Sequence, residues 1–581
     1  MTENTAAIDS GSLSVTLQQR ADYIPLEDLR GETAHTGALF HRVTTELTNR
    51  TLRTIVGPRG CGKTHMMRYA WLTCRDTKSK PFAIFASFQR YFRLEPLLSS
   101  NAGAAQLFHS WVLARVLLSA KESCEAWDPA LDDIGSEVLE SQGYPADSLL
   151  TLATKLERNQ AIDGEWAEFS DALSIERARL VIDRLRESAG RKFTVLLLDD
   201  AAMTLTPDYL VEFLDIVRLL KSSTIAPKVS VYPGTTEMSP RFHEGQDTVS
   251  IPAWISVEDS EYESNMLDIA SVRVKNLESI PQDAQALLRF AAFGIPRAYL
   301  TMLEDYLRGG FRTAQQGVNR IISEHLAARL GEFRTLGKKI PKLEILVAQG
   351  EKLVHEVAKE LKNYNRALLP RFERSLTYGL RTEEKVALLD RTLRLLVEAG
   401  LIFDDGEVKH GSPVRIYHKY ILHSALMLGI GAFTGNQGSG SIKKNLEAIR
   451  YKPAKHPLRK SLGAIIGNDF LPSLNLALPR CAHCHEPRLS DNQRFCHHCG
   501  QQLVDVSAFN HCLDTPIKEV PGLTKWQRAQ IVVNLPSLRY IRDYLAKQDP
   551  AADLLTVKGF GKQRSARIVD VLNSYVDDFL S

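Results

Sequence analysis

Apolar positions along this chain fall into two patterns. Short, mainly apolar runs at residues 54–56, 82–88 and 193–198 read as buried strands, and 228–232, where Val229, Val231 and Tyr232 alternate with polar residues, reads as a further short strand. Elsewhere the apolar residues recur at helical intervals. Leu107, Trp111, Val112, Val116 and Leu117 mark the largely helical stretch 103–190. Val318, Ile321, Ile322 and Leu326, then Leu346, Leu353, Val354, Val357 and Leu361, mark another at 311–370. Strands interleaved with helices predict an α/β nucleotide domain carrying a helical insertion. Further on, a helix over 383–399, a strand at 401–403, a turn at Asp404-Asp405-Gly406, a return strand and the stretch 416–428 read as a winged helix, or as a helical packing domain with one hairpin. Gly-rich residues 429–440 and the basic stretch from Lys443 to Lys460 read as a flexible basic linker.

These runs become informative where they meet chemistry. The strand at 54–56 leads into Gly57-Pro58-Arg59-Gly60-Cys61-Gly62-Lys63-Thr64-His65, which fits G-x-x-x-x-G-K-[ST]. Glycines let backbone N–H groups turn toward phosphate oxygens, Lys63 supplies a point charge, and Thr64 offers a hydroxyl to Mg2+. A helix begins at the loop, its N-terminus facing the anion. With strand, loop and helix in this order, the loop predicts binding of ATP or GTP. The run 193–198 ends in Asp199-Asp200, carboxylates delivered at the C-terminal edge of a central strand. Asp199 is the candidate Mg2+ ligand, and Asp200 the candidate to orient the attacking water. After the strand at 228–232 come the hydroxyls of Thr235 and Thr236, then Arg241. Arg241 reads equally as a surface ion-pair residue or as an arginine reaching a neighbouring subunit's nucleotide. Gly294-Ile295-Pro296-Arg297 interrupts two helical segments and starts a helix with Arg297 above the phosphates.

Composition narrows the setting. The 581 residues are 44% hydrophobic and 24% charged with a formal net charge of +3, so any case for nucleic acid rests on local patches. No run of 18 apolar residues occurs and the N-terminus is polar, so a cytoplasmic protein (nucleoid association included) with no membrane partner is expected. Four cysteines cluster as Cys481-x-x-Cys484 and Cys496-x-x-Cys499, two knuckles with the spacing of a closed tetrahedral Zn2+ site. Such sites are structural. The C-terminus repeats itself at a separation of 37 residues, 517–532 aligning with 554–569. In the second copy Gly559 and Gly561 would expose hairpin amides to one DNA phosphate, with Lys558, Lys562, Arg564 and Arg567 adding cations. Thr524 stands where the second copy has Gly561, so the first copy reads as mainly structural.

Taken in order, the phosphate loop, acid-ended strand, hydroxyl-ended strand and GxPR helix resemble an AAA+ ATPase, and LLLDDAA followed by GIPR resembles the origin-recognition/initiator clade. The resemblance spans roughly residues 35–430. It implies Lys63 and Thr64 for ATP and Mg2+, Asp199 for Mg2+, Thr235 or Thr236 as sensor 1, Arg297 as sensor 2, and a winged helix after the lid. Asp200 departs from the family's usual Glu, which implies slow turnover. The block V-x-G-F-G-K resembles a helix-hairpin-helix, and the cysteine block a zinc ribbon. The expected multidomain α/β architecture is a tail and lead-in (1–35), an AAA+ core (36–250), a helical lid (251–310), a helical region (311–370), a winged-helix-like domain (371–428), the linker (429–475), the zinc ribbon (476–505) and an all-α tandem helix-hairpin-helix (510–581). The expected function is a DNA-associated ATPase that self-assembles or recruits a processing partner, binding duplex or branched DNA through phosphates. The alternative is a nucleotide-switch signalling ATPase (STAND-like) of a defence or mobile-element system, gating an effector.

Overall fold

The computed structural model describes all residues except 1–20, 22–23, 35–36, 89–93, 95–102, 159, 201–206, 235–244, 435–440, 482, 491–492, 494, 502, 504–511, 521–522, 548 and 581. Thr235, Thr236 and Arg241 therefore lie outside the described residues.

Among the described residues, the first α/β unit is built on a five-stranded parallel sheet. In chain order it comprises α1 (Ala38–Leu47), β1 (Arg53–Val56), α2 (Lys63–Asp76), β2 (Phe82–Ser87), α3 (Ala104–Trp127), α4 (Pro129–Ser141), α5 (Ala146–Glu157), α6 (Glu165–Ala172), α7 (Ile175–Ser188), β3 (Thr194–Asp199), α8 (Pro207–Leu220), β4 (Ile225–Val231) and β5 (Val249–Pro252). The strand order is β2-β3-β4-β1-β5, a parallel α/β sheet of the kind the AAA+ resemblance implies. Every residue of β3 is buried, and its alternating side chains serve two cores. Val195 and Leu197 pack with α2 and the elements beyond the sheet. Leu196 and Leu198 pack with α3, α5, α7 and α8. Helix α3 is buried on nearly all sides, which explains its weak amphipathic pattern. Helix α7 starts where Ser174 accepts from the Arg177 amide, and it buries Ile175, Ala178, Val181, Ile182 and Leu185 along one stripe.

The lid follows as α9 (Tyr262–Arg273), α10 (Gln282–Ala291) and α11 (Pro296–Arg308), then the long α12 (Ala314–Lys339) and α13 (Glu344–Leu368). The next unit contains β6 (Glu373–Arg374), β7 (Thr377–Arg381), α14 (Ala387–Glu398), β8 (Ile402–His410), β9 (Arg415–Leu422) and α15 (Ser424–Gly429), with an antiparallel sheet ordered β7-β9-β8. Two details differ from the sequence reading. Asp404-Asp405-Gly406 is a bulge inside β8 rather than the reversal, because Asp404 and Asp405 pair across the ladder with His418 (2.7 Å) and Lys419 (2.6 Å). The chain turns instead at 411–414, and 415–422 is itself the return strand.

The stretch expected as linker contains α16 (Ile442–Ile449), β10 (Lys452–Pro453), α17 (Leu462–Ile466) and α18 (Phe470–Ser473). Ile442, Leu446 and Leu462 are buried. Strand β10 pairs with β6, and Leu458 exchanges backbone hydrogen bonds with Thr377 and Gly379 of β7. Its basic residues had masked these apolar anchors. The C-terminal region contains α19 (Lys525–Asn534), α20 (Ile541–Leu545), α21 (Pro550–Leu555) and α22 (Lys562–Leu580). Among the described residues no helix is long and apolar enough to cross a membrane.

Candidate functional site

The C-terminal ends of β1, β3 and β4 converge on the phosphate loop. Gly62 caps α2 at φ 98° and Gly60 sits at φ 85°, conformations a side chain would strain. Lys63 is buried and donates to the carbonyls of Gly57 (2.7 Å) and Pro58 (3.3 Å), with its ammonium 4.0 Å from the centre of the Tyr232 ring. Thr64 Oγ1 donates to Asp199 Oδ2 at 2.5 Å, although the two are 135 residues apart. Asp199 is fully buried at the end of β3. The residue pair assigned to Mg2+ thus meets in one place, and a hydroxyl beside a carboxylate suits a hard, oxygen-seeking cation.

Asp200 adopts φ 53°, a left-handed conformation that Asp tolerates better than most residues. Its amide donates to Ser230 Oγ at 2.9 Å, and its carboxylate accepts from the Tyr232 hydroxyl at 3.2 Å. Burial, with Asp200 alongside, pushes the Tyr232 hydroxyl well above its ordinary pKa, so it stays a donor. Burial works against the Arg59 charge, but the acidic groups around it, the Glu332, Asp200 and Glu398 carboxylates among them, raise the guanidinium pKa. Cys61 is buried and its thiol is pushed up by burial. The His65 ring shares a 2.7 Å hydrogen bond with Thr33 Oγ1 in the lead-in.

The lid reaches the loop through GIPR. Phe293 (φ 56°) and Gly294 (φ 74°) make the turn, and the Trp254 indole donates to the Phe293 carbonyl at 2.9 Å. The Arg297 amide then donates to the Gly60 carbonyl at 3.3 Å, while its side chain is exposed. A Cβ added at Gly60 would stand 3.1 Å from the Arg297 Cβ, so loop and lid touch closely.

Sequence reasoning missed a third party to the site. The Gly234 amide, just past β4, donates to Glu398 Oε2 at the end of α14 at 2.8 Å. A Cβ at Gly234 would fall 2.6 Å from the Leu395 Cα, and one at Gly400 would fall 3.6 Å from the Pro58 Cβ. The unit formed by β6–β9, α14 and α15 therefore packs on the phosphate loop itself. Tyr232, Ser230, Glu398 and Gly400 carry no motif that announces this.

Two further sites lie toward the C-terminus. The Sγ atoms of Cys481, Cys484, Cys496 and Cys499 all lie within 4.8 Å of one another, with 3.5 Å between 481 and 499 and between 484 and 496. Zn–S bonds of about 2.3 Å in a tetrahedron require S···S separations of about 3.8 Å, so the donor set fits Zn2+. The knuckles match each other: the His485 amide donates to the Cys481 carbonyl and the Gly500 amide to that of Cys496, both at 2.9 Å, with positive φ at His485 and Gly500. In the second hairpin, Lys558, Gly559, Gly561, Lys562, Arg564 and Arg567 are all exposed around the turn from α21 to α22. Gly559 has φ 94° and Arg564 donates to its carbonyl. The first copy caps itself, Thr524 and Gln527 forming a reciprocal capping box.

No protein-family model matches the chain, and neither does any curated protein. Solved structures do match. A Walker-type ATPase of Pyrococcus abyssi is 13% identical, with 67% of this chain and 93% of that chain covered, at a TM-score of 0.34. Cdc6p from Pyrobaculum aerophilum is 14% identical, with 76% and 97% covered, at 0.29. The Orc1 protein of Aeropyrum pernix, in complex with DNA, is 14% identical, with 67% and 90% covered, at 0.27.

Proposed function

We propose that this chain is a Mg2+-dependent ATPase of AAA+ type that works in association with DNA. The observation that carries the reading is the 2.5 Å contact between Thr64 and Asp199 beside the Lys63 loop, where motif and geometry coincide. Thr64 and Asp199 would hold Mg2+, which when bound draws charge from the phosphate oxygens. Lys63, now resting on the Gly57 and Pro58 carbonyls, exchanges them for phosphate oxygens when ATP enters. Asp200 orients the attacking water, and its hydrogen bond from Tyr232 steadies the carboxylate. Its short side chain, where Glu is usual, makes turnover slow. Arg297 approaches the phosphates from the lid; Thr235 or Thr236 senses the γ-phosphate, and Arg241 acts toward a neighbouring subunit. The hairpin cations bind DNA through phosphates, largely without regard to sequence, while Cys481, Cys484, Cys496 and Cys499 hold a structural Zn2+. ATP binding organises self-assembly or the recruitment of a partner.

A second reading draws on the packing of the winged-helix-like unit against Pro58 and Gly234. A unit seated on the phosphate loop can report which nucleotide is bound, as a signalling switch gating an effector would. Phosphate release from ATP, with and without duplex and forked DNA, separates the two. Stimulation by DNA is expected; tight ATP binding without stimulation favours the switch. Lys63→Ala is expected to abolish nucleotide binding, and Asp200→Asn to keep binding but stop turnover. Undiminished turnover in Asp200→Asn would remove that carboxylate from the mechanism.

A further inference from the structure

We propose that Trp526 is a stacking platform for an unpaired nucleobase, so that the C-terminal hairpins take DNA at tails, flaps or forks in preference to closed duplex. The inference rests on the DNA reading above and narrows its substrate. Phosphate contacts alone give no preference for an unpaired strand over the more densely charged duplex; an accessible aromatic face can.

Trp526 is the second residue of α19, in the first copy of the repeat, and its helix start is held by the Thr524 capping box. Its indole leans onto the second copy. A Cβ added at Gly559 would stand 3.2 Å from Trp526 Cη2, the Phe560 ring meets it edge-on at 5.6 Å, and the Arg564 guanidinium lies 5.1 Å from its ring centre. These three contacts fix the indole without enclosing it: 47% of Trp526 remains exposed. A residue that served only to join the two copies would be covered as its neighbours are, Leu523 and Phe560 each being 5% exposed. The repeat itself makes no demand for an aromatic, since the residue 37 positions later is Gln563.

The chemistry around the indole selects a polyanion. Lys558, Lys562, Arg564 and Arg567 are exposed beside it, and residues 556–567 contain no acid. That charge disfavours an acid-free protein groove and suits a nucleic acid strand. Every base has a π face, so stacking on Trp526 is indifferent to sequence, and the cation beside the ring adds to it. In closed duplex the bases are already stacked and paired, and reaching the indole would mean breaking both. In a single-stranded tail the base is free to move there. An indole fixed in advance by Phe560 and Gly559 also loses little freedom on binding.

The test is equilibrium binding of the full-length chain to a labelled blunt duplex and to the same duplex carrying a single-stranded tail, at one fixed salt concentration. Wild type should bind the tailed DNA more tightly. Trp526→Ala should weaken tailed binding on the order of 5- to 150-fold, the range for losing one base stack, and leave blunt duplex binding unchanged. Trp526→Phe keeps an aromatic face and the hairpin packing, and should retain most of the preference. Quenching of tryptophan fluorescence by tailed DNA should be smaller in Trp526→Phe than in wild type. Equal binding of both DNAs by wild type, or a preference that survives Trp526→Ala, overturns this inference alone. Failure of wild type to bind either DNA overturns the DNA reading and this inference with it.

Discussion

Lys63, Asp199 and Asp200 stand out as candidates from their neighbours in sequence because each carries its own chemistry: a charge after glycines, and carboxylates closing an apolar run. What surrounds Asp200 was not identifiable, since Ser230 and Tyr232 arrive from another strand and Arg59 turns back from the loop. The histidines make the same point. Burial, with Arg273 and Arg68 nearby, lowers the His65 pKa from 6.5 to about 4, and burial with Arg329 nearby lowers His325 to about 3. Both rings are neutral in the fold. The unfolded chain takes up these protons near pH 6.5, whereas the fold holds them off until about pH 4 or below. Between those values the unfolded state binds more protons, so this stability is fully present above 6.5 and is lost as pH falls through the window. Thermal midpoints should therefore drop from pH 7 to pH 5, and His65→Gln should drop less steeply. An unaltered slope in His65→Gln would place the loss elsewhere.

At the scale of elements, the phosphate loop, the GIPR turn and α14 form one packed junction. Arg297 reaches it through its amide, and Glu398 through the Gly234 amide. Removing an acceptor from a part-buried N–H leaves that donor unsatisfied, at a cost of about 1–3 kcal/mol. Glu398→Ala also takes a balancing charge from Arg59. It should loosen α14 from the nucleotide domain and speed release of a fluorescent ADP analogue. Release at the wild-type rate would mean that the junction does not gate the nucleotide. Element type was readable from periodicity for β3, α7 and α13. The winged unit's return strand and bulge were not, because the cross-strand partners His418 and Lys419 decided where the acidic pair sits.

For the whole molecule, the phosphate-loop domain and the basic C-terminal helices answer to different experiments. Each phosphate contact contributes about 0.9 to the slope of log affinity against log salt for duplex DNA. Truncation before Cys481 removes Lys558, Lys562, Arg564 and Arg567, so it should weaken DNA binding and flatten that slope by up to roughly 3.6. An unchanged affinity and slope would move DNA contact to the units before the cysteines. Chelation should act in the same direction through the zinc ribbon, read as Zn2+ released per chain. The sequence by itself determined the chemistry held in contiguous patterns: the loop, the acid-ended β3, the cysteine knuckles and the hairpin repeat. In each, a short stretch of backbone already brings the needed atoms together. Only the tertiary structure decided that residues 441–476 are a folded strap, that α14 and Gly400 seat on Gly234 and Pro58, and that Trp526 lies across Gly559. Those contacts join residues tens to hundreds of positions apart, and burial of surface selects them without leaving a local pattern.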